Sequence, residues 1–368
     1  MSWLTFHSES EKLAIDAHLA ASNKQYDRSL ELYRRAAEAE KRALESIDPS
    51  KIRTRAVTAV SAVALWFKGR EFAAAEQLAY AMLADTTVPE FARQELRTLV
   101  QAIWTEAAKQ TAGVSFLPGQ VTVSVKGGEV VTGGAPLDLI VDKVQTIQSL
   151  FYRTIEFLQG VAHRRAGKPA RELQEACRPW LFQAAPGSYQ FSVAIQKPAQ
   201  IDLFRSEIEP SRIASYFLDV VGASASEDVH RMEALVPDST YRNTFLKLTR
   251  NLAPTGKTFE QIELRGAGEA KPVSLGIDAR MSINKNLRKP AENVQAVPPV
   301  EEELRGTLRA LDLDKDWLDI VVDGVSNHVV GLEEAVDDVI GPMVNRAVVV
   351  RVTRTTGKLK YIDIELAE

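Results

Sequence analysis

The stretch PLDLIVDKVQTIQSLFYRTIEFLQGVAHRR, residues 136–165, carries the strongest pattern in the chain. Its apolar residues recur at steps of three and four, which predicts one continuous stripe along an amphipathic helix. The members of the stripe are Leu137, Ile140, Val141, Val144, Ile147, Leu150, Phe151, Ile155 and Leu158. Such a helix spans roughly 30 Å, about the width of a small domain. We therefore predict that the middle of the chain is organised around this helix.

Length and composition are typical of a folded protein with two or three domains. The 368 residues exceed one ordinary domain, and the 45% hydrophobic and 26% charged fractions are ordinary for globular chains. Cys177 is the single cysteine, which excludes a disulfide framework within the chain and favours a reducing compartment. The sequence contains neither a signal-peptide pattern nor a run of roughly 18 apolar residues. We therefore expect a cytoplasmic protein without a membrane segment.

Residues 1–110 are predicted to form a helical domain. Ser8 and Glu11 fit the S-x-x-E capping box, which predicts a helix start at Ser8 and a helix to about Ser22. Further helices are predicted after Asp27, over 52–68, over 72–83 and after Pro89. Trp66 and Trp104 lie at core spacing and are expected to pack inside.

Two segments of this domain repeat each other: NKQYDRSLELYRRA at 23–36 and GREFAAAEQLAYAM at 69–82. Each has an aromatic residue followed three positions later by a small one, and the two copies lie 46 residues apart. The pair resembles the start of the second helix of a tetratricopeptide repeat, a family whose usual spacing is about 34 residues. The resemblance implies antiparallel helical hairpins, whose concave surface suits a protein partner. The alternative is a helical bundle that only packs against the rest of the chain. The implied partner-binding residues are Tyr26, Tyr33, Phe72 and Tyr80.

Residues 111–289 are predicted to form a central α+β domain. The alternation at Val121, Val123 and Val125 indicates a half-buried strand, which Gly127-Gly128 turns into a hairpin with a return strand over 129–132. A second alternating strand is predicted over 188–196, with the long helix packed on its apolar face. The remaining predictions are three helices in 211–252, a strand over 259–264 and a helical or extended segment over 272–288.

The last part of the chain changes in composition and charge. Residues 290–300 contain three prolines and are predicted to be a stiff linker. Residues 301–368 contain five strand patterns and a short acidic helix over 333–339, which indicates a small β-barrel of the SH3-like or OB-like kind. Its 8 basic and 15 acidic residues give a net charge of −7, which weighs against binding of a phosphate backbone by the barrel.

The densest basic cluster follows the long helix and contains His163, Arg164, Arg165, Lys168 and Arg171. One interpretation is a binding site for a phosphate-bearing ligand or nucleic acid. The other is a solvated helix end, where cations are favoured by the helix dipole. The second is favoured because the cluster is short and lacks interleaved aromatic residues.

Motifs for catalysis, metals or cofactors are absent from the sequence. The Asp312-Leu-Asp-Lys-Asp316 run has Trp317 where a calcium loop needs glycine, so a solvated turn is favoured. GGEVVTGG, residues 127–134, lacks the lysine of a phosphate loop. Cys177 has no identifiable base in the sequence, and a free, buried thiol is expected. We predict no catalytic residue, no metal ligand and no cofactor.

These observations favour a non-enzymatic adaptor or regulatory subunit that binds a protein partner through its helical domain. Modular chains of this kind suit a larger prokaryotic assembly, for example a defence or signalling complex, by analogy alone. Two alternatives stay open: a sensor that binds phosphate or nucleic acid at residues 163–171, and an enzyme with a dispersed site in the central domain. The sequence does not indicate the oligomeric state.

Overall fold

The computed structural model describes residues 2–23, 25–114, 116–131, 133–183, 189–197, 212–266, 272–288, 301–355 and 357–367. The chain divides into two compact units: Met1–Val114 with Phe182–Gly187, and Ser115–Leu181 with Ser188–Glu368. The described residues contain twelve α-helices and ten strands, so the predicted mixed α+β class is confirmed.

The first unit contains five helices that follow one another closely in the chain. They are α1 (Trp3–Ser22), α2 (Tyr26–Glu45), α3 (Ile52–Lys68), α4 (Phe72–Ala84) and α5 (Glu90–Thr111). Consecutive helices pack against each other, and α3 also contacts α5. The predicted helical character of this region is confirmed.

The predicted capping box at Ser8 is wrong because Ser8 lies inside α1. The helix begins at Trp3, and Ser2 is its N-cap residue. Trp3 stabilises the additional turn: its ring stacks on His7 with centroids 5.0 Å apart, and its Nε1 donates to Thr58 Oγ1 of α3 at 3.3 Å. These contacts reach across helices, so a local capping motif does not predict them.

Small side chains allow α1 and α2 to approach closely. Ala17 of α1 and Ala36 of α2 are fully buried. Ser29, the small residue of the first repeated segment, is also buried and donates its hydroxyl to the carbonyl oxygen of Ala17 at 2.9 Å. The aromatic residues of the two repeated segments, Tyr26 and Phe72, are the first residues of α2 and α4.

The second unit contains a five-stranded sheet and a group of helices. The strands are β1 (Phe116–Lys126), β2 (Pro179–Gln183), β3 (Tyr189–Gln196), β4 (Gln261–Gly266) and β5 (Val273–Leu275), in the order β2-β3-β1-β4-β5. The helices are α6 (Leu137–Leu158), α7 (Arg171–Ala176), α8 (Arg212–Ser224), α9 (Val229–Leu235), α10 (Ser239–Leu252) and α11 (Ile277–Leu287). The three helices predicted in 211–252 are therefore confirmed.

The hairpin predicted to follow β1 is wrong. β1 is the central strand, and β3 and β4 pair with it antiparallel on its two sides. Since both edges of β1 are used, the chain after Gly128 has no free edge to return to. The backbone N–H of Glu129 instead donates to the carbonyl of Thr258 at 2.9 Å, and Val131 forms only an isolated bridge with Gly134. Thr132 lies outside the described residues.

The long helix α6 ends at Leu158, seven residues before the end of the quoted stretch. It packs against α8 and α10, and α8 makes the close approach to β1, β4 and β5. The rings of Phe151 on α6 and Phe217 on α8 stack with centroids 4.2 Å apart. The buried residues of α6 and of the 188–196 strand belong to one core, and direct packing of α6 on that strand stays a prediction.

The last five strands form a closed barrel in the order β10-β8-β7-β6-β9. They are β6 (Glu301–Asp312), β7 (Trp317–Val322), β8 (Val325–Val330), β9 (Ala347–Thr355) and β10 (Lys358–Leu366). β8 and β10 are parallel, and the other described pairs are antiparallel. A short helix, α12 (Asp337–Ile340), and a 3-10 turn (Gly341–Met343) lie between β8 and β9.

The barrel belongs to the same compact unit as the central sheet and helices. Their buried apolar residues form one continuous core, which runs from Val121 of β1 to Ile364 of β10. The predicted linker, 290–300, is part of residues 289–300, which lie outside the described part of the chain. Whether residues 301–368 also fold alone stays a prediction.

Candidate functional site

Two arginines of the predicted basic cluster, Arg164 and Arg165, contact carboxylates of the barrel. Arg164 Nη2 donates to Asp338 Oδ2 at 2.8 Å, and its Nε donates to Glu156 Oε1 of α6 at 2.7 Å. Arg165 is hydrogen-bonded to Asp316 and donates to the carbonyl oxygen of Leu332 at 2.8 Å. These guanidinium groups are not at a solvated helix end, because α6 ends at Leu158 and the segment after it runs along the barrel.

Arg153 of α6 completes this group, and the sequence pattern did not single it out. It is fully buried, and its Nε donates to the same Asp338 Oδ2 at 2.7 Å. Its Nη1 and Nη2 have no hydrogen-bond partner, and the same holds for Glu156 Oε2, which lies 3.6 Å from Arg153 Nη1. We call Arg153, Glu156, Arg164, Arg165, Asp316 and Asp338 the Arg153 cluster.

Burial governs the electrostatics around the Arg153 cluster. Burial lowers the pKa of Arg153 below its ordinary value, with Arg164 adding to the effect and Asp338 opposing it. Burial, together with the nearby Arg153, lowers the pKa of His163 to about 4. His163 is therefore neutral near pH 7, and its Nε2 is hydrogen-bonded to Thr244 Oγ1 at 2.9 Å.

The other two members of the predicted basic site lie apart from these contacts. Lys168 is exposed. Arg171 is exposed at the start of α7, where its Nε donates to Glu175 one turn later at 2.8 Å. The structure thus brings Arg164 and Arg165 together with the unpredicted Arg153, with His163 at the margin, whereas Arg171 pairs only along its own short helix.

A second ion cluster joins the same two parts of the unit. Arg250 of α10 is fully buried and holds Asp363 of β10 through both terminal nitrogens, with Nη2 donating to Oδ1 at 3.1 Å. Arg351 of β9 donates to the same carboxylate at 3.0 Å, and Lys247 lies buried nearby. We call Lys247, Arg250, Arg351 and Asp363 the Arg250 cluster. Asp363 and its neighbours raise the pKa of Arg250 despite complete burial.

The four predicted partner-binding aromatics of the first unit occupy two kinds of environment. Tyr26 and Tyr80 are exposed, with Tyr26 at 65%. Tyr33 and Phe72 are half-buried: Lys68 lies over the Tyr33 ring at 5.6 Å, and Phe72 packs on Phe67 with centroids 5.9 Å apart. Tyr33 and Phe72 therefore have packing roles, whereas Tyr26 and Tyr80 present surface to solvent.

An apolar stripe on α1 was missed by the sequence reasoning. Leu4, Ile15 and Leu19 are 61%, 61% and 54% exposed. Their spacings of eleven and four place them on one side of the helix, opposite the buried Ala17 and Ala20, with the exposed Ser8 and Glu11 between Leu4 and Ile15. The signal was present in the sequence as a second apolar face, but the alanine-rich inner face alone was sufficient to explain a packed helix.

The described residues contain no group of three or more potential metal-ligating side chains. The Asp312–Asp316 run forms a turn, in which Asp312 Oδ1 accepts from the backbone N–H of Asp314 and Lys315 at 3.1 and 2.9 Å. Cys177 is a free, buried cysteine, and burial raises the pKa of its thiol. Within the described part of the chain, no helix is long and apolar enough to cross a membrane.

Comparison with known proteins gives no match: neither the family models, nor the curated proteins, nor the solved structures resemble this chain significantly.

Proposed function

We propose that this chain is a non-enzymatic adaptor or regulatory subunit that holds a protein partner through its N-terminal helices. The observation that carries the proposal is the exposed stripe of Leu4, Ile15 and Leu19 on α1. An outermost helix in a stack of hairpins normally presents a polar outer face, because an apolar one promotes association. The stripe suits the apolar face of an amphipathic helix supplied by the partner.

The fold that supports this proposal is tetratricopeptide-like. In both repeated segments the aromatic residue begins the second helix of a pair, at Tyr26 and Phe72. The small residues three positions later, Ser29 and Ala75, are both buried. The 46-residue spacing from Tyr26 to Phe72 is accommodated by long helices, since α2 and α3 have 20 and 17 residues.

For the barrel we propose the OB-like rather than the SH3-like arrangement. Two features support it: the parallel pairing of the third and fifth barrel strands, β8 and β10, and the short helix α12 between the third and fourth strands. A barrel of this kind can bind ligands or serve only as a structural module. Its net charge of −7 favours a structural or protein-contacting role in this chain.

The proposal is tested with the protein purified from its host, analysed by native mass spectrometry. Ile15→Asp and Leu19→Asp place a charge in the stripe and should remove a stoichiometric protein partner from the spectrum. Thr5→Asp introduces the same charge at an exposed position on the flank of α1 and should retain the partner. Retention of every partner by both stripe variants would contradict the proposal.

A further inference from the structure

The Arg153 cluster is assembled from two sources that differ in charge. The central part supplies three guanidinium groups: Arg153 from α6, and Arg164 and Arg165 from the segment that follows it. The barrel supplies two carboxylates, Asp338 and Asp316. Asp338 Oδ2 accepts from Arg153 and Arg164 at 2.7 and 2.8 Å, as an anion oxygen does between two arginine forks.

We propose that Arg153, Arg164 and Arg165 form a binding site for a doubly charged phosphoryl group, which Asp338 and Asp316 occupy as internal competitors. Phosphoryl binding at this site would then be coupled to release of the barrel segment that carries Asp338. The inference is independent of the adaptor function and involves only the second unit.

Unused donors in the cluster support this assignment. Arg153 is completely buried, yet its Nη1 and Nη2 have no hydrogen-bond partner. Here a carboxylate accepts hydrogen bonds from one side of each guanidinium group. A tetrahedral phosphoryl group has three oxygens, which can accept hydrogen bonds from several guanidinium groups at once. Buried donors that the present contacts leave unused are therefore available to an anion with more acceptor oxygens.

Charge balance selects a dianion. If both barrel carboxylates withdraw, the central part keeps three guanidinium groups and the carboxylate of Glu156, a net charge of about +2. A phosphoryl group with a charge of about −2 replaces the two carboxylates without leaving a buried charge unpaired. His163 at the margin is neutral, so it adds no further charge near pH 7.

Neither barrel carboxylate lies on a barrel strand. Asp338 lies on the four-residue helix α12, and Asp316 lies in the turn between β6 and β7. Asp316 has a φ of 57°, in the left-handed region that is unfavourable for most residues other than glycine. The Arg250 cluster holds the barrel at β10 through Asp363 and does not depend on either segment.

The test is isothermal titration of the full chain with inorganic phosphate and, separately, with a single-stranded oligodeoxynucleotide. Asp338→Asn removes one competitor and should tighten phosphate binding by about tenfold relative to the unsubstituted chain. Asp316→Asn removes the carboxylate of a half-exposed ion pair and should also tighten phosphate binding. It replaces Asp338→Asn in the test if that variant does not fold. Arg164→Gln should abolish binding, and Arg171→Gln, outside the cluster, should leave it unchanged.

A response to phosphate alone would assign the site to a small phosphorylated ligand. Binding of the oligonucleotide without binding of phosphate would overturn the proposal, because each phosphodiester of the backbone carries one negative charge and not two. If both Asp variants bind neither probe, or if Arg164→Gln binds as tightly as the unsubstituted chain, the proposal is overturned. Partner retention in the native mass spectrum is a separate readout, so this result does not affect the adaptor proposal.

Discussion

The two buried ion clusters that join the barrel to the central helices differ in how completely their charges are satisfied. In the Arg250 cluster, the guanidinium holds Asp363 with two nitrogens and also donates to Asn284 and to the carbonyl oxygen of Ile364. In the Arg153 cluster, two terminal nitrogens of Arg153 and one oxygen of Glu156 have no hydrogen-bond partner, whereas Arg250 lacks a partner at Nε alone.

The pKa shifts reflect this difference. Both arginines are buried, and burial disfavours the charge of each. For Arg250, Asp363 more than offsets burial and the pKa rises, whereas for Arg153 the neighbouring charges do not and the pKa falls. Burial and opposite charge alone therefore do not make a tight anchor, because hydrogen bonds to every terminal nitrogen are also needed.

The largest effect is expected for Asp363→Asn. The substitution leaves Arg250 buried without its counter-charge, which should lower the free energy of unfolding by about 3–5 kcal/mol. Urea denaturation of the full chain measures this change. Asp319→Asn is the control, because Asp319 pairs with the exposed His328 and should cost less than about 1 kcal/mol. Equal losses for the two variants would contradict the role of Asp363.

A smaller effect is expected for Asp338→Asn. Asp338 is partly exposed, and the cluster already contains unpartnered atoms, so relaxation and water can compensate. We expect a loss of about 1–3 kcal/mol in the same urea experiment. A loss as large as that of Asp363→Asn would show that the two clusters are equivalent anchors and would contradict the weaker role of the Arg153 cluster.

The pH dependence of stability provides a test at His163. Burial lowers its pKa to about 4, below the ordinary value near 6.5 in an unfolded chain. Between these two pH values the unfolded chain binds a proton that the folded protein does not, so stability should fall as pH falls from 6.5 to 4 and level off below. His163→Gln should reduce this slope in urea denaturation measured across the window. His230→Gln, at an exposed histidine, should leave the slope unchanged.

The smallest effect is expected for Arg171→Gln. Arg171 belongs to the same basic stretch as Arg164 but pairs only with the exposed Glu175. Its loss should leave the free energy of unfolding close to that of the unsubstituted chain. The midpoint of thermal unfolding should lie within about a degree of the midpoint of the unsubstituted chain. A clearly lower midpoint would show that the cluster extends into α7.

Local patterns predicted much of the secondary structure. The helix expected over 52–68 has those bounds as α3, and the alternation at Val121, Val123 and Val125 corresponds to a buried face of β1. These elements follow from apolar periodicity, which is a property of neighbouring residues. The hairpin after β1 failed because strand pairing depends on which distant strands compete for an edge, here β3 and β4.

The candidate site was predictable only in part. The basic residues after α6 are visible in the sequence, but their partners are not. Arg153 and Asp338 lie 185 positions apart, and Arg250 and Asp363 lie 113 apart. Charged residues at such separations have no shared local pattern, so the sequence favours a solvated helix end over a phosphate site for Arg164 and Arg165 and does not predict their pairing across the fold.

The most direct test of the unequal clusters is native-state hydrogen exchange at two amides. The N–H of Ile340 on α12 donates to the carbonyl oxygen of Val336 beside the Arg153 cluster, and Ile364 lies on β10 at the Arg250 cluster. If the Arg153 cluster is the weaker one, Ile340 should exchange through a local opening of lower free energy than the opening that exposes Ile364. Equal opening free energies at the two amides, or a lower one at Ile364, would contradict the account.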